Sequence, residues 1–141
     1  MTTRQISVFL ENKSGSLVKV FKALKQAHIQ LVTSTLADTA DYGVCRILCD
    51  RPEDAYQVLT AEGFSVTMTD VFAVVLDDKP GRAADAIELF ASNNISISYL
   101  YSFLFEGKGV LIFRTNDIPR ASELIRENGY SSITNFSSNQ R

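Results

Sequence analysis

One stretch of this chain recurs at a fixed interval. Glu11-Asn12-Lys13-Ser14-Gly15-Ser16-Leu17 returns as Asp77-Asp78-Lys79-Pro80-Gly81-Arg82-Ala83, a shift of 66 residues that holds without a gap from Gln5 to Phe136. The identical pairs are Val8/Val74, Leu10/Leu76, Lys13/Lys79, Gly15/Gly81, Ile29/Ile95, Gly43/Gly109, Val44/Val110, Ala55/Ala121, Gly63/Gly129 and Ser65/Ser131. Chance at ordinary composition would give about 4. Position argues more strongly than number: glycines recur where turns are expected, and conservative pairs such as Phe21/Ile87, Leu31/Ile97 and Leu59/Ile125 fall between them. The chain therefore reads as a tandem duplication, and whatever one half folds into the other must fold into as well.

Each half reads β-α-β-β-α-β. Ile6, Val8 and Leu10 alternate with Gln5, Ser7 and Phe9 as a first strand, and Phe72, Val74 and Leu76 repeat it. After the polar glycine turn, Leu17, Val20, Phe21 and Leu24 form the apolar stripe of a helix, matched by Ala83, Ala86, Ile87 and Phe90. Second strands are expected over 29–36 and 95–103, and third strands over 43–49 and 109–115. Short helices follow Pro52 and Pro119, and Gly63 and Gly129 suit the left-handed residue just past a helix end. Last strands are expected over 64–68 and 130–134. Two crossover helices on one face of a four-stranded antiparallel sheet define the fold class: α+β, two tandem ferredoxin-like βαββαβ units. The units should span residues 1–70 and 71–136, joined directly through Asp70 to Phe72, with 137–141 a disordered tail.

A unit of this length is close to the smallest that sustains its own core, so the units should share an interface. With 45% hydrophobic and 21% charged residues the chain is globular, and a formal charge of −2 offers nucleic acid or an anionic membrane no attraction. No stretch has the length and apolarity of a signal peptide or a membrane span, which points to a cytoplasmic location. Cys45 and Cys49, four residues apart on an expected strand, would hold their Cα atoms about 13 Å apart, too far for a disulfide, so both are expected to be buried reduced thiols. With one histidine, His28, there is no ligand set for a metal, and no nucleophile–base pair, phosphate loop or paired carboxylate suggests catalysis. His28 falls at an expected helix end, where the dipole favours a cation. The chain is expected to be no enzyme and to need no cofactor.

An Asp78-Lys79-Pro80-Gly81 turn between an apolar strand and a helix, followed by Asn94-Ile95-Ser96-Ile97 opening the next strand, resembles the ACT domain, a regulatory module that binds amino acids in allosteric biosynthetic enzymes. The likeness covers Gln5 to Phe136 as two such units, although Ser14 stands in the first where the pattern prefers proline. In that family ligands commonly sit where two units lie side by side, touched by this loop of one and by the start of the second strand of the other. The resemblance thus implies Asn12, Asp78, Gln30 and Ser96 as ligand residues, with a free amino acid as partner and a homodimer as assembly.

Elementary chemistry favours the same loop. A free amino acid presents a carboxylate and an ammonium group a short distance apart. The helix start after each glycine turn offers the unpaired amides of Gly15, Ser16 and Leu17, or of Gly81, Arg82 and Ala83, to the carboxylate, and Asn12 or Asp78 can supply oxygen to the ammonium. Asn12 is neutral and Asp78 charged, so the two places need not bind equally, and the Asp78 loop is favoured. The same two residues would also serve simply as helix caps, and Lys13 and Lys79 as solvated turn residues. Two rival functions remain open. Apolar residues on both sheet faces, Phe9, Val75 and Phe103 among them, would suit a regulatory subunit docking on a separate biosynthetic enzyme with no ligand of its own. Tyr99, Tyr101, Phe103 and Phe105, all on one side of a strand, could stack RNA bases, but no basic cluster accompanies them.

Overall fold

The structure, a computed structural model, describes residues 1–11, 14–38, 41–77 and 79–137, with Ser14 described by its backbone alone. The expected tail from 138 onward lies outside the described residues. Among the described residues the elements run β1 (Thr3–Glu11), α1 (Ser14–Gln26), β2 (Leu31–Asp38), β3 (Tyr42–Cys49), α2 (Pro52–Ala61), β4 (Ser65–Leu76), α3 (Arg82–Ser92), β5 (Ile97–Phe105), β6 (Lys108–Thr115), α4 (Ile118–Glu127) and β7 (Ser131–Ser132). They form the two antiparallel α+β, ferredoxin-like units. One compact unit is built on Arg4–Thr69 and the other on Asp70–Thr134. Strand order is β2-β3-β1-β4 in the first unit and β7-β4-β6-β5 in the second. β4 thus serves as last strand of the first and as central strand of the second. Two separate strands flanking a join were expected here; the run Val66-Thr67-Met68-Thr69-Asp70-Val71-Phe72 has no glycine or proline to interrupt it, and one strand results.

Each unit has its own core on the helix-covered side of its sheet. In the first, Ile6, Val8 and Leu10 of β1 and Cys45, Ile47 and Cys49 of β3 meet Val20, Ala23 and Leu24 of α1 and Ala55 and Leu59 of α2. In the second, Phe72 and Val74 of β4 and Leu111 and Phe113 of β6 meet Ala86 and Phe90 of α3 and Ala121, Leu124 and Ile125 of α4. The aromatic centre of that core is Phe113, whose ring lies 5.4 Å from Phe72 and 4.9 Å from Phe90 between centroids.

All four helices stop in the same way. In each, the second residue past the last helical one has positive φ: His28 (59°), Gly63 (93°), Asn94 (61°) and Gly129 (72°). The next residue then donates its N–H back across the last turn: Ile29 to Leu24 O (3.0 Å), Phe64 to Leu59 O (3.1 Å), Ile95 to Phe90 O (2.9 Å) and Tyr130 to Ile125 O (3.0 Å). The paired residue is apolar each time, so the motif satisfies loose carbonyls and drops a side chain into the core at once. Ile29 and Ile95 are spent on this, which is why β2 and β5 start at Leu31 and Ile97, two residues later than sequence periodicity suggests. Arginines support the helix ends. Arg51 donates through Nη2 to both Ala27 O and His28 O at 2.8 Å, and Arg120 Nη2 reaches Asn93 Oδ1 at 3.2 Å.

Three other local expectations need correcting. Gly15 lies inside the first turn of α1 and has no positive φ, whereas Gly81 precedes α3 at φ 87°; the two loops are not copies. β7 shrinks from an expected five residues to Ser131–Ser132, held to β4 opposite Val75 and Val74. Turn and strand divide differently at β6: Glu106 and Gly107 both have positive φ, closing a two-residue hairpin, and Lys108 already belongs to the strand.

Cys45 and Cys49 are free and buried, and burial pushes both thiols up from 9.0 to about 11. The folded state therefore holds protons that the unfolded chain gives up near pH 9. Their contribution to stability should be constant at lower pH and decline as pH climbs from about 9 to 11; the Cys45→Ala/Cys49→Ala protein, compared by urea denaturation across that range, should lack this part of the decline. At the helix stops, Gly63→Ala should cost about 1–2 kcal/mol and His28→Gly should gain about 1 kcal/mol in the same assay, because an L side chain pays to occupy the left-handed region.

Candidate functional site

The described part of the expected site is best formed where β4 ends and α3 begins. Gly81 holds the residue before the helix in the left-handed conformation, and a glycine there has no side chain with which to cap α3. The first amides of α3 accordingly lack intrahelical partners and point out of the helix with the positive end of its dipole. Arg82 opens the helix from between two carboxylates, its Nε 3.5 Å from Asp77 Oδ2 and its Nη1 3.3 Å from Asp85 Oδ2. The Nε–H is enclosed and makes no hydrogen bond, the Asp77 oxygen lying beyond good hydrogen-bond range. Gly81 and Ala83 are exposed beside it.

A cleft of about 440 Å³ adjoins this helix start. Its walls are Val75, Leu76 and Asp77 from the end of β4, Arg82 from α3, Lys108 from the start of β6, and Asn128 to Ser131 from the end of α4. That size suits a small organic molecule, and the walls combine two cations, one carboxylate and apolar surface from Val75, Leu76 and Tyr130. Of the expected residues, Arg82 lines the cleft. Val75, Leu76, Asp77, Lys108 and Asn128 to Ser131 were not anticipated as site residues. One signal for them was present: Lys108 stands where the first repeat has Tyr42, and Gly129 marks the helix end that brings α4 back to the sheet.

Ser96 does not join them. It immediately precedes β5, past the far end of α3, and an 11-residue helix separates its ends by about 16 Å. Its N–H is taken by Asn116 Oδ1 at 3.0 Å, as that of Gln30 is by Asp50 Oδ1 at 2.9 Å, a repeat-conserved bond that fixes how each second strand begins. Gln30 lines a separate groove of about 490 Å³ with Phe21, Leu24, Lys25, His28, Ile29 and Leu31, at the end of α1 away from Gly15. Gly15, Ser16 and Leu17 lie in the first turn of α1, Gly15 exposed and the other two half-buried. Asn12 and Asp78, the two residues expected to meet an ammonium group, lie outside the described residues.

No group of three or more His, Cys, Asp or Glu among the described residues could hold a metal ion. No described helix is long and apolar enough to cross a membrane. The aromatic residues of β5 do share a side: Tyr99, Tyr101, Phe103 and Phe105 oppose Arg114, Ile112, Val110 and Lys108 on β6 and are half-buried.

Two repeated ferredoxin-like units, each with a glycine-bearing strand-to-helix turn, define a class. The sequence matches the family described as an ACT domain pair over residues 1–139, and the chain belongs to that family. Among solved structures it is similar to a protein of Bacteroides thetaiotaomicron, with a TM-score of 0.89 and 30% identity over 94% of this chain and 92% of that one. It also resembles the regulatory subunit of aspartate kinase from Thermus thermophilus in its ligand-free form (TM-score 0.62, 18% identity, 88% and 91% of the two chains). The corresponding subunit from Thermus flavus gives a TM-score of 0.61 at 18% identity, covering 88% and 90%. At that identity the two aspartate kinase subunits share the fold and nothing finer. No functionally curated protein matches the sequence.

Because the Arg82 side chain is 37% exposed, its ion pairs contribute little to folding. Arg82→Gln should shift the unfolding free energy by less than about 1 kcal/mol in urea denaturation, so any loss of ligand binding in that variant is separable from misfolding.

Proposed function

We propose that this protein is a small, non-catalytic regulatory protein that binds a free amino acid at the start of α3. The observation that carries this reading is the convergence of Arg82, Lys108 and Asp77 on one small-molecule-sized cleft beside helix amides that Gly81 has no side chain to cap. Arg82, Lys108 and the amides of Gly81, Arg82 and Ala83 would receive the carboxylate; Asp77, with Asp78, would receive the ammonium; Val75, Leu76 and Tyr130 would face the side chain. Family membership supports the reading, since the ACT domain is a module associated with amino-acid binding. On this view Gln30 and Ser96 act toward a neighbouring unit, as the family resemblance implies, and the working assembly is a cytoplasmic homodimer.

A second reading has its own support. Leu100 and Leu104 on β5 are 45% and 80% exposed, and similar folds serve as regulatory subunits of aspartate kinase in two Thermus species. Such a surface suits docking on a separate biosynthetic enzyme.

A thermal-shift screen against the twenty amino acids separates them. A ligand that binds the folded state alone raises the melting temperature, by an amount equivalent to about 2.7 kcal/mol at a hundred times its Kd. The amino-acid reading expects a selective rise with one or a few, lost in Asp78→Ala/Asn12→Ala and in Arg82→Gln. A flat screen confirmed by calorimetry would overturn it in favour of the docking subunit.

A further inference from the structure

The last strand of the second unit is built unlike an ordinary sheet edge. β5 pairs with β6 on one side, and among the described residues no strand lies on the other. Exposed edges are usually protected by a charge, a proline or a bulge that turns them away. β5 has neither charge nor proline in its nine residues, and its one irregularity lies at the start, between Ile97 and Tyr99. Leu100 and Leu104 stand on the helix-covered side, opposite Phe113 and Gly109 of β6, yet are 45% and 80% exposed. Ser102 between them is exposed as well.

The order of its residues is symmetric. The run Tyr99-Leu100-Tyr101-Ser102-Phe103-Leu104-Phe105 places aromatic, leucine, aromatic on either side of Ser102. An antiparallel copy of the same strand, related by a two-fold axis at Ser102, meets like with like: Leu100 faces the partner's Leu104, Tyr101 the partner's Phe103, and Tyr99 the partner's Phe105. Aromatic cross-strand pairs stabilise a sheet, and like charges directly opposite destabilise it. β5 holds no charge to set against its own copy. Beyond each end, the register brings the partner's Glu106 in strand order between Arg114, which is opposite Tyr99, and the partner's Lys108, so one carboxylate falls between two cations. The edge of the first unit lacks this pattern. β2 is polar in its middle, Thr33-Ser34-Thr35, and reflection about Ser34 sets its exposed Leu36 against Val32, which falls in the bulge of the β2–β3 ladder.

We propose that two copies of this chain pair through β5, antiparallel and in register about Ser102, joining their second-unit sheets into one. The inference rests on the homodimer proposed above and gives it an edge, a register and a symmetry; it does not depend on the ligand. It assigns Leu100 and Leu104 to a second copy of the chain rather than to a separate enzyme. Seven paired residues make a contact about 24 Å long. That is small for a specific interface, so the dimer forms and dissociates with concentration.

Cysteine cross-linking reads the register directly, since both native thiols are buried. In Ser102→Cys the two new thiols meet at the axis with Cα atoms about 5 Å apart, within reach of a disulfide. In Leu100→Cys the equivalent thiols are displaced along the strands by more than about 13 Å and cannot bond. Under mild oxidation the full-length Ser102→Cys protein should form a covalent dimer; Leu100→Cys and the β2 control Ser34→Cys should not. Sedimentation analysis then tests the leucines. Leu100→Glu/Leu104→Glu sets like charges face to face and should be monomeric at concentrations where the parent protein is dimeric. Leu100→Lys/Leu104→Glu carries as many charges but faces each with its opposite, and should dimerise. No cross-link at Ser102, equal cross-linking at Ser34, a dimer that survives the double glutamate substitution, or a lysine–glutamate protein no more dimeric than it would each overturn the proposal. A dimer without the Ser102 link would remove this register and leave the homodimer standing. A parent protein monomeric at every concentration would remove both and return the two leucines to the docking reading. Cross-linking at Ser102 beside a flat amino-acid screen would sink the ligand reading alone.

Discussion

A left-handed residue just past each helix is the constraint on which the rest of this fold depends. At His28, Gly63, Asn94 and Gly129 the chain reverses its winding once. The following residue then closes a bond over the last turn and inserts Ile29, Phe64, Ile95 or Tyr130 toward the core. That single step fixes where each helix ends, which side of it faces the sheet, and where the next strand can begin. Without it the apolar stripes of α1 and α3 would have no fixed height above Ile6, Val8, Phe72 and Val74. That two of the four positions are glycine and one is asparagine reflects the low cost of positive φ for those residues; His28 holds the same conformation at a greater cost, with Arg51 bonding the carbonyls around it.

The candidate site is a by-product of the same geometry. Gly129 turns the chain after α4 so that Asn128 to Ser131 come back past the end of β4, and there they meet Asp77, Arg82 and Lys108. Each of these residues is at the edge of an element: the end of β4, the start of α3, the start of β6, the end of α4. None has to be accommodated in the core. The charges of the cleft are therefore free to vary between repeats without disturbing the fold, which is what comparison of Tyr42 with Lys108 and Ser16 with Arg82 shows has happened.

Much of the architecture was legible in the sequence because duplication doubles every signal. A periodicity seen once, such as Leu17, Val20, Phe21 and Leu24, is ambiguous; seen again at Ala83, Ala86, Ile87 and Phe90 it is an element, and Val20, Leu24, Ala86 and Phe90 are buried as expected, although Ala83 is exposed. The repeat misled where the copies have diverged in backbone. Gly15 and Gly81 align, yet one sits in a helix and the other before it, because Ser14 can join the first turn of a helix whereas its counterpart Pro80 stands in a turn ahead of one. Strand starts at Leu31 and Ile97 were misjudged since β-branched residues fit a capping motif's final position as well as a strand's first. At the site, Arg82 and the helix start could be read from a local turn, whereas Lys108 lies 26 residues downstream of Arg82 and reaches the cleft through the register of β6 on β4, which no local pattern announces.

A glycine at the N-cap of α3 sets that helix apart from α4. α4 finishes its first turn internally, with Asp117 Oδ1 accepting from Arg120 N at 3.0 Å, so that end is stitched shut in the free protein. α3 begins from Gly81, which has no side chain to do the same. Its opening turn frays more readily and exchanges its amide protons with water sooner than that of α4. A small anion seated there would supply the missing stitch, so that occupancy would be felt as stiffness of one helical turn, a change in local order rather than a displaced domain.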